Sequence, residues 1–358
     1  MHSHGCQIRF SGMPRCARYE PAVMTRANFA AGLLAGMLVP VLLLVPLASP
    51  GQGRSPAPEV DQILAAVVGV RARVPEHART AEALGTERAG SGVLIDGNGL
   101  IVTIGYLILE ASHVEVMVTE DRILEAEILA YDHETGFGLL RASEPIDVAP
   151  MGLGESAGLA QGDQLLVASF GGRLTARPAV LVSRRDFAGY WEYLLENAIF
   201  TAPPYPLFGG AALINSQGEL VGIGSLVVAD AYPGDQPLPG NMFLPVDRLK
   251  GVLGELLMVG RSTAVSRPWL GLYVSEVDGL LMVHRLAVDG PAAAAGIRPG
   301  DIILGVAGQP VVSMADFYRK LWAAGKPGDK VPLTVLQGAK LHELTITAGD
   351  RYEWLHLK

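Results

Sequence analysis

Short stretches of alternating apolar and polar residues run along most of the chain, with the period of a β-strand. The segment 67–74 alternates, and the segment from Ser91 to Thr103 is interpreted as a hairpin with its turn at Gly97-Asn98-Gly99. A helix is predicted near Val60 and another over 246–258. Further strands are predicted at 67–74, 114–118, 125–130, 138–141, 164–168, 179–182, 213–215, 220–228 and 241–244. Short strands at regular spacing indicate barrels or sandwiches.

A second unit of different pattern follows a short linker at 261–267. It mixes strands with two short helices, the first ended by Gly296. The predicted strands are 269–274, 280–283, 301–306, 331–337 and 341–347, and the predicted helices are 291–295 and 314–324.

The N-terminal region carries the pattern of an export segment. No charged residue occurs from 27 to 53, the run 29–48 is strongly apolar, and Arg26 stands directly before it. Residues 24–49 therefore predict a signal peptide or a signal anchor, and both alternatives stay open, because the run is long enough to span while Leu47-Ala48-Ser49 is an imperfect cleavage site. Residues 1–23 are an N-terminal extension or precede the true start at Met24, and 50–58 is a linker rich in Pro, Gly and Ser.

Composition excludes several classes of function. The net charge of −8 argues against a nucleic-acid partner, because nothing neutralises phosphates. The only cysteines are Cys6 and Cys16, both before the apolar run, so an extracytoplasmic part would use no disulfide framework. No His, Cys or acidic residues stand at metal-site spacing, and neither a metal nor another cofactor is expected.

Four blocks in order resemble the HtrA family, periplasmic trypsin-like serine proteases with PDZ domains. They are GSGVLIDGNGLIVT at 90–103, DHETGFGLLR at 132–141, GAALINSQGELVGI at 210–223 and GPAAAAGIRPGDII at 290–303. The resemblance implies a mainly β fold, a chymotrypsin-like double β-barrel at 59–262 followed by a C-terminal PDZ domain at 266–350 and a tail at 351–358. It also implies a periplasmic location, either soluble or anchored to the inner membrane.

The three positions that carry the catalytic triad in that family hold other residues here. The histidine position is Tyr106, the aspartate position Gly136 and the serine position Gly209. Tyrosine, with an ordinary pKa of about 10, is a poor base at neutral pH, and glycine can neither attack nor orient a base. In the oxyanion loop Leu207 stands where the family has glycine, and with Phe208 it is expected to fill the cleft.

Other residues of catalytic type have simpler interpretations. His113 and His133 are interpreted as solvated loop histidines, and Ser91 and Ser225 as packing or turn residues without a partner base. No catalytic residue is therefore predicted.

The PDZ segment is the predicted binding site. Such domains add a peptide strand to a sheet edge and hold its terminal carboxylate with backbone N–H groups. By resemblance the carboxylate loop is Trp269, Leu270, Gly271 and Leu272, and the alternative is that this stretch is only a core strand.

The sequence thus predicts a catalytically inactive HtrA-like pseudoprotease that acts as a peptide-binding adaptor or regulator. The expected partners are polypeptide C-termini or unfolded proteins, an active homologue, and the membrane if the N-terminal segment is uncleaved. The family resemblance also implies a homo-oligomer. The alternatives are an active serine endopeptidase in periplasmic quality control that uses a shifted nucleophile, and a structural, oligomerising subunit.

Overall fold

The computed structural model describes residues 60–262, 266–355 and Leu357. The predicted export segment, the extension before it and the linker after it lie outside the described residues. Within the described ranges, no helix combines the length and the apolar character needed to cross a bilayer. Strands dominate the chain, so the predicted mainly β class is confirmed.

The first barrel closes from six antiparallel strands. Their order around the barrel is β1-β2-β3-β6-β5-β4, with β1 pairing both β2 and β4. The side chains that point inward form an apolar core, because successive residues of a strand face opposite sides of the sheet. The elements are α1 (Val60–Ala65), β1 (Val67–Arg73), α2 (Ala81–Leu84), β2 (Glu87–Leu94), β3 (Leu100–Ile104), α3 (Gly105–Ile108), β4 (His113–Met117), β5 (Ile123–Tyr131) and β6 (Phe137–Ala142).

The second barrel contains a long hairpin that the sequence pattern did not predict. Its strand order is β10-β11-β12-β9-β8-β7. Strands β8 and β9 pair along their length, from Val180 opposite Ala202 to Gly189 opposite Tyr193. Only a short part of β8 was predicted, and β9 was missed entirely. The elements are β7 (Gln164–Ala168), β8 (Arg177–Gly189), β9 (Tyr193–Ala202), β10 (Ala212–Ile214), β11 (Leu220–Tyr232), β12 (Leu238–Pro245) and α4 (Val246–Val259).

The third unit is a sheet of order β13-β14-β15-β17-β18, in which β13 is an edge strand. The first strand starts later than predicted, because Trp269 makes only an isolated bridge to Gly349. The elements are β13 (Leu272–Val277), β14 (Leu280–Leu286), α5 (Pro291–Ala294), β15 (Ile302–Val306), β16 (Gln309–Pro310), α6 (Met314–Ala323), β17 (Lys330–Gln337), β18 (Lys340–Thr347) and α7 (Arg351–Trp354).

The predicted tail at 351–358 begins with the packed helix α7. The ring of Trp354 lies 4.8 Å from that of Trp269, and its Nε1 donates to the carbonyl of Val288 at 2.9 Å. Leu355 is only 1% exposed. These aromatic and apolar contacts hold α7 and Leu355 against the third unit.

The two barrels meet where backbone touches backbone. The N–H of Ser91 donates to the carbonyl of Gly209 at 2.8 Å. A Cβ at Gly90 would lie 2.5 Å from that same oxygen, and a Cβ at Gly210 would lie 1.9 Å from the carbonyl oxygen of Ser91. Both distances are below any real Cβ contact, so this seam requires glycine at both positions.

We expect Gly210→Ala to destabilise the protein far more than Gly162→Ala. Both glycines have positive φ, +74° and +98°, so each variant carries a backbone penalty of about 1–2 kcal/mol. A Cβ at Gly162 meets nothing within 4 Å, whereas one at Gly210 collides with Ser91 and adds roughly 1–3 kcal/mol of overpacking. Urea unfolding of the two variants measures the difference. Equal losses would contradict the proposed crowding at the seam.

Candidate functional site

Tyr106 lies in α3, directly after β3, and its hydroxyl is already engaged. The Oη donates to the carbonyl oxygen of Ser225 at 2.9 Å, which ties the first barrel to β11 of the second. Burial raises the pKa of the Tyr106 hydroxyl well above its ordinary value of about 10. A phenol that donates to a carbonyl and resists ionisation holds the two barrels together and cannot accept a proton at neutral pH.

The structure brings Tyr106 and Gly209 together. A Cβ at Gly209 would lie 3.1 Å from Tyr106 Oη, so the two positions face each other as a base and a nucleophile would. Gly209 has no side chain, and the Tyr106 hydroxyl donates its proton to the carbonyl oxygen of Ser225 rather than towards position 209.

Gly136 lies beside the same helix but faces another residue. Its carbonyl accepts from the N–H of Gly105 at 2.8 Å, next to Tyr106 in the chain. Its φ is +85°, and a Cβ there would lie 2.9 Å from Tyr193 Oη. That hydroxyl donates to the carbonyl oxygen of Thr135 at 3.0 Å. The space that an aspartate at 136 would need is thus occupied by Tyr193.

The loop before Gly209 is anchored by a buried tyrosine. Tyr205 Oη donates to Thr175 O at 2.7 Å, and its backbone N–H donates to Oδ1 of the buried Asn241 at 2.6 Å. Leu207 is 53% exposed, so the expectation that Leu207 and Phe208 together fill the cleft is wrong for Leu207. The anchor at Tyr205 fixes the loop in the second barrel and leaves the leucine on the surface.

Other residues of catalytic type lie away from the Tyr106–Gly209 cleft or have other partners. Ser275 Oγ hydrogen-bonds Nε2 of His284, but this pair is exposed on β13 and β14 of the third unit. Ser91 Oγ accepts from the N–H of Phe170 at 3.0 Å, in a packing role.

His133 is not a solvated loop histidine as interpreted from the sequence. Its Nδ1 lies 3.1 Å from Tyr131 Oη and its Nε2 lies 3.3 Å from the carbonyl oxygen of Glu192, and burial lowers its pKa. Within the part of the chain that the structure describes, no cluster of His, Cys, Asp or Glu side chains could hold a metal ion.

The predicted carboxylate loop does hold a carboxylate, and it belongs to this chain. The N–H of Leu270 donates to Oε2 of Glu192 at 3.0 Å, and the N–H of Leu272 donates to Oε1 at 2.6 Å. Glu192 is only 2% exposed. Gly271 has φ +79° and lies between these donors, where a Cβ would come within 3.1 Å of Ala287. The remaining residue of the predicted loop, Trp269, does not contact this carboxylate. Its backbone N–H donates to the carbonyl oxygen of Gly349 at 3.0 Å instead.

Glu192 belongs to the turn of the hairpin between β8 and β9, and the neighbouring backbone also binds the third unit. The N–H of Val274, in the edge strand β13, donates to the carbonyl oxygen of Tyr190 at 3.0 Å. Tyr318 Oη, from α6, donates to Gly189 O at 2.7 Å and accepts from the N–H of Glu192 at 3.2 Å. The hairpin end therefore lies between β13 and α6, a contact that sequence reasoning missed.

Burial and hydrogen bonding act on Glu192 in opposite directions. Burial, the larger effect, raises its pKa to about 7, while the donors of the carboxylate loop and the charge of Arg351 lower it. The titratable groups around it come from three elements. Arg351 Nη1 in α7 donates to Trp191 O at 2.7 Å, Tyr318 contacts it from α6, and His133 from the turn after β5.

Comparisons with known proteins agree with this architecture. A trypsin-like peptidase domain model matches residues 90–223, and a PDZ domain model matches residues 268–348. The third unit described above is thus a PDZ domain. A solved HtrA-type protease with a bound tripeptide superposes with a TM-score of 0.50 at 24% identity, over 82% of this chain and 96% of that chain, which shows the fold alone.

Curated relatives carry the names of serine endoproteases, some of them periplasmic. The chain is 30% identical over 292 residues to a probable periplasmic serine endoprotease DegP-like of Pseudomonas fluorescens, covering 77% of this chain and 59% of the relative. It is 26% identical to the periplasmic pH-dependent serine endoprotease DegQ of Escherichia coli, covering 81% of this chain and 69% of that protein. It is also 26% identical to the serine endoprotease DegS of Escherichia coli, covering 73% of this chain and 76% of that protein. The chain thus spans less than two thirds of the DegP-like relative.

We expect the contact of Glu192 with the loop to strengthen as the pH falls from 8 to 5. The pKa of this carboxyl is about 7 when buried and near 4.5 when free, so the docked state holds a proton that the free state lacks between these values. Stability is therefore gained as the pH falls through this window, by up to roughly 3 kcal/mol.

Thermal unfolding of the wild type and Glu192→Gln at pH 8, 7, 6 and 5 measures this effect. The Tm of the wild type should rise relative to that of Glu192→Gln towards pH 5. A Tm difference that is independent of pH would contradict a raised pKa at Glu192.

Proposed function

Because this chain belongs to the HtrA family of trypsin-like proteases with PDZ domains, we propose that it is a pseudoprotease of the cell envelope that binds polypeptides through its PDZ domain. Its barrels serve as a scaffold, and its role is that of an adaptor or regulator. The proposed location is the periplasm, soluble or anchored by the N-terminal segment. We propose polypeptide C-termini or unfolded proteins as its ligands.

The proposed loss of peptidase activity is supported mainly by the arrangement of Tyr106 and Gly209. Acyl transfer needs a nucleophile within hydrogen-bond reach of a base. Here the hydroxyl of Tyr106 donates to Ser225 O, and the facing position has no side chain. A working endopeptidase with a shifted nucleophile would need a serine beside a free base in the cleft between the barrels. Ser91 and Ser225 have no histidine partner there, and the hydrogen-bonded pair of Ser275 and His284 is exposed on the PDZ domain instead.

Binding by the PDZ domain is supported by the state of its carboxylate loop. Two backbone N–H groups of that loop converge on one carboxylate, which is the chemistry that recognises a peptide C-terminus. A loop serving only as core strand would have no such pair of donors aimed at an acid. An active homologue is the proposed protein partner, and self-association is proposed from the family.

The purified chain should neither cleave unfolded casein nor react with a fluorophosphonate probe, because it lacks an activated serine. The matched variant Gly209→Ser should also stay unlabelled, since Tyr106 cannot activate the new hydroxyl. Escherichia coli DegQ treated in parallel provides the positive control for both assays.

Stoichiometric labelling of any serine in the wild type, together with casein cleavage, would establish the endopeptidase alternative. If the chain neither cleaves casein nor reacts with the probe, and its PDZ domain binds no peptide, the alternative of a structural subunit is favoured.

A further inference from the structure

The hairpin end occupies the PDZ domain with the spacing of a peptide ligand. In a strand added to a sheet edge, alternate residues bond the neighbouring strand. The carboxylate of Glu192 binds the loop at Leu270 and Leu272, and the carbonyl of Tyr190, two residues earlier, binds the N–H of Val274 in the edge strand β13. Glu192 thus stands where a terminal carboxylate would, and Tyr190 stands where the residue two places before it would.

The conformation of Glu192 is a second, independent observation. Gly189 pairs with Tyr193, which leaves a loop of three residues, and Glu192 at its end has φ +55°. The last position of such a loop normally takes the left-handed conformation, where glycine or asparagine is preferred. A glutamate at this position conflicts with the local turn preference. Its contact with the carboxylate loop supplies the compensating interaction.

The ring of Tyr190 indicates which side chain the groove accepts at this position. It lies 6.2 Å from the ring of Tyr273 in β13, and the guanidinium of Arg285 lies over Tyr273 at 3.9 Å. An aromatic side chain there can contact the tilted ring of Tyr273, which the guanidinium covers on one face.

We propose that the β8–β9 hairpin is a built-in ligand of the PDZ groove, which closes it to other polypeptides until a free C-terminus displaces Glu192. The competing ligand has a terminal carboxylate and an aromatic residue two places before its end. This inference rests on the peptide-binding role proposed above. Because the hairpin must leave before a ligand binds, the apparent affinity is the intrinsic affinity multiplied by the fraction of molecules in which the groove is open.

Fluorescence anisotropy with the full chain at pH 7.5 tests this competition. The probe is fluorescein-labelled Ser-Ala-Gly-Tyr-Trp-Val with a free C-terminus, and its amidated twin is the ligand control. Glu192→Gln should bind the free-acid probe at least about tenfold more tightly than the wild type. The amide has one acceptor oxygen and its NH2 group would face the second backbone N–H of the loop, whereas a carboxyl, ionised or protonated, keeps an acceptor oxygen at both places. The amidated probe should bind neither protein.

Two further variants make the comparison specific. Glu196→Gln removes an exposed carboxylate from the same hairpin, one that pairs with Arg248 at 2.8 Å, and should bind like the wild type. Tyr318→Phe removes the hydroxyl that bonds Gly189 and Glu192, and should raise affinity in the same direction as Glu192→Gln.

Equal probe affinity of the wild type and Glu192→Gln would overturn the built-in ligand and leave the peptide-binding function intact. If no protein binds the probe, the proposed peptide-binding function fails. Hydrogen exchange at the amides of Leu270 and Leu272 then decides the inference by itself. Exchange about tenfold faster in Glu192→Gln supports occupancy by the hairpin, and unchanged exchange overturns it.

Discussion

The two barrels can meet only because side chains are absent where their backbones cross. Gly90 and Gly210 allow the approach, and the Ser91 N–H bond to Gly209 O fixes it. None of these contacts uses the side chain at position 209. The geometry of the cleft therefore does not depend on a nucleophile, and a chain can keep this scaffold after losing the serine. The same reasoning explains how Tyr106 adds a hydrogen bond across the seam at a position where a base would have to remain free.

The sequence predicted strands that form short apolar or alternating runs between turn residues, and missed β9, whose run is interrupted in the middle. Ser91 to Thr103 gives a clear hairpin because two short apolar runs flank a turn with two glycines. Strand β9 does not keep one phase. Glu196 and Asn197 are both exposed in the middle of the strand, and Asn197 has φ +55° beside a shift in register. Such an irregularity moves the apolar residues to the other phase, and a period-two search loses the strand.

The candidate positions were predictable because they lie at fixed distances from strands with strong patterns. Gly209 stands directly before the block that forms β10 and β11, and Leu270 and Gly271 stand directly before β13, whose first residue is Leu272. The partner of the PDZ loop could not be predicted in this way. Glu192 is 78 residues before Leu270, in a turn whose local preference disfavours glutamate. The contacts of His133 were missed for the same reason, since they depend on how separate units pack rather than on a local period.

Two neighbouring residues of the hairpin connect the PDZ loop with the first barrel. Glu192 places its carboxylate in the loop, while Tyr193 places its hydroxyl against Thr135, in the space that a side chain at Gly136 would need. Glu192 ends the turn in the left-handed conformation and Tyr193 begins β9, so one end of the hairpin serves both surfaces. An aspartate at 136 would compete with Tyr193 for this space. Because position 136 is glycine, the tyrosine can stay, and the cleft surface becomes part of the packing that holds the hairpin against the PDZ domain.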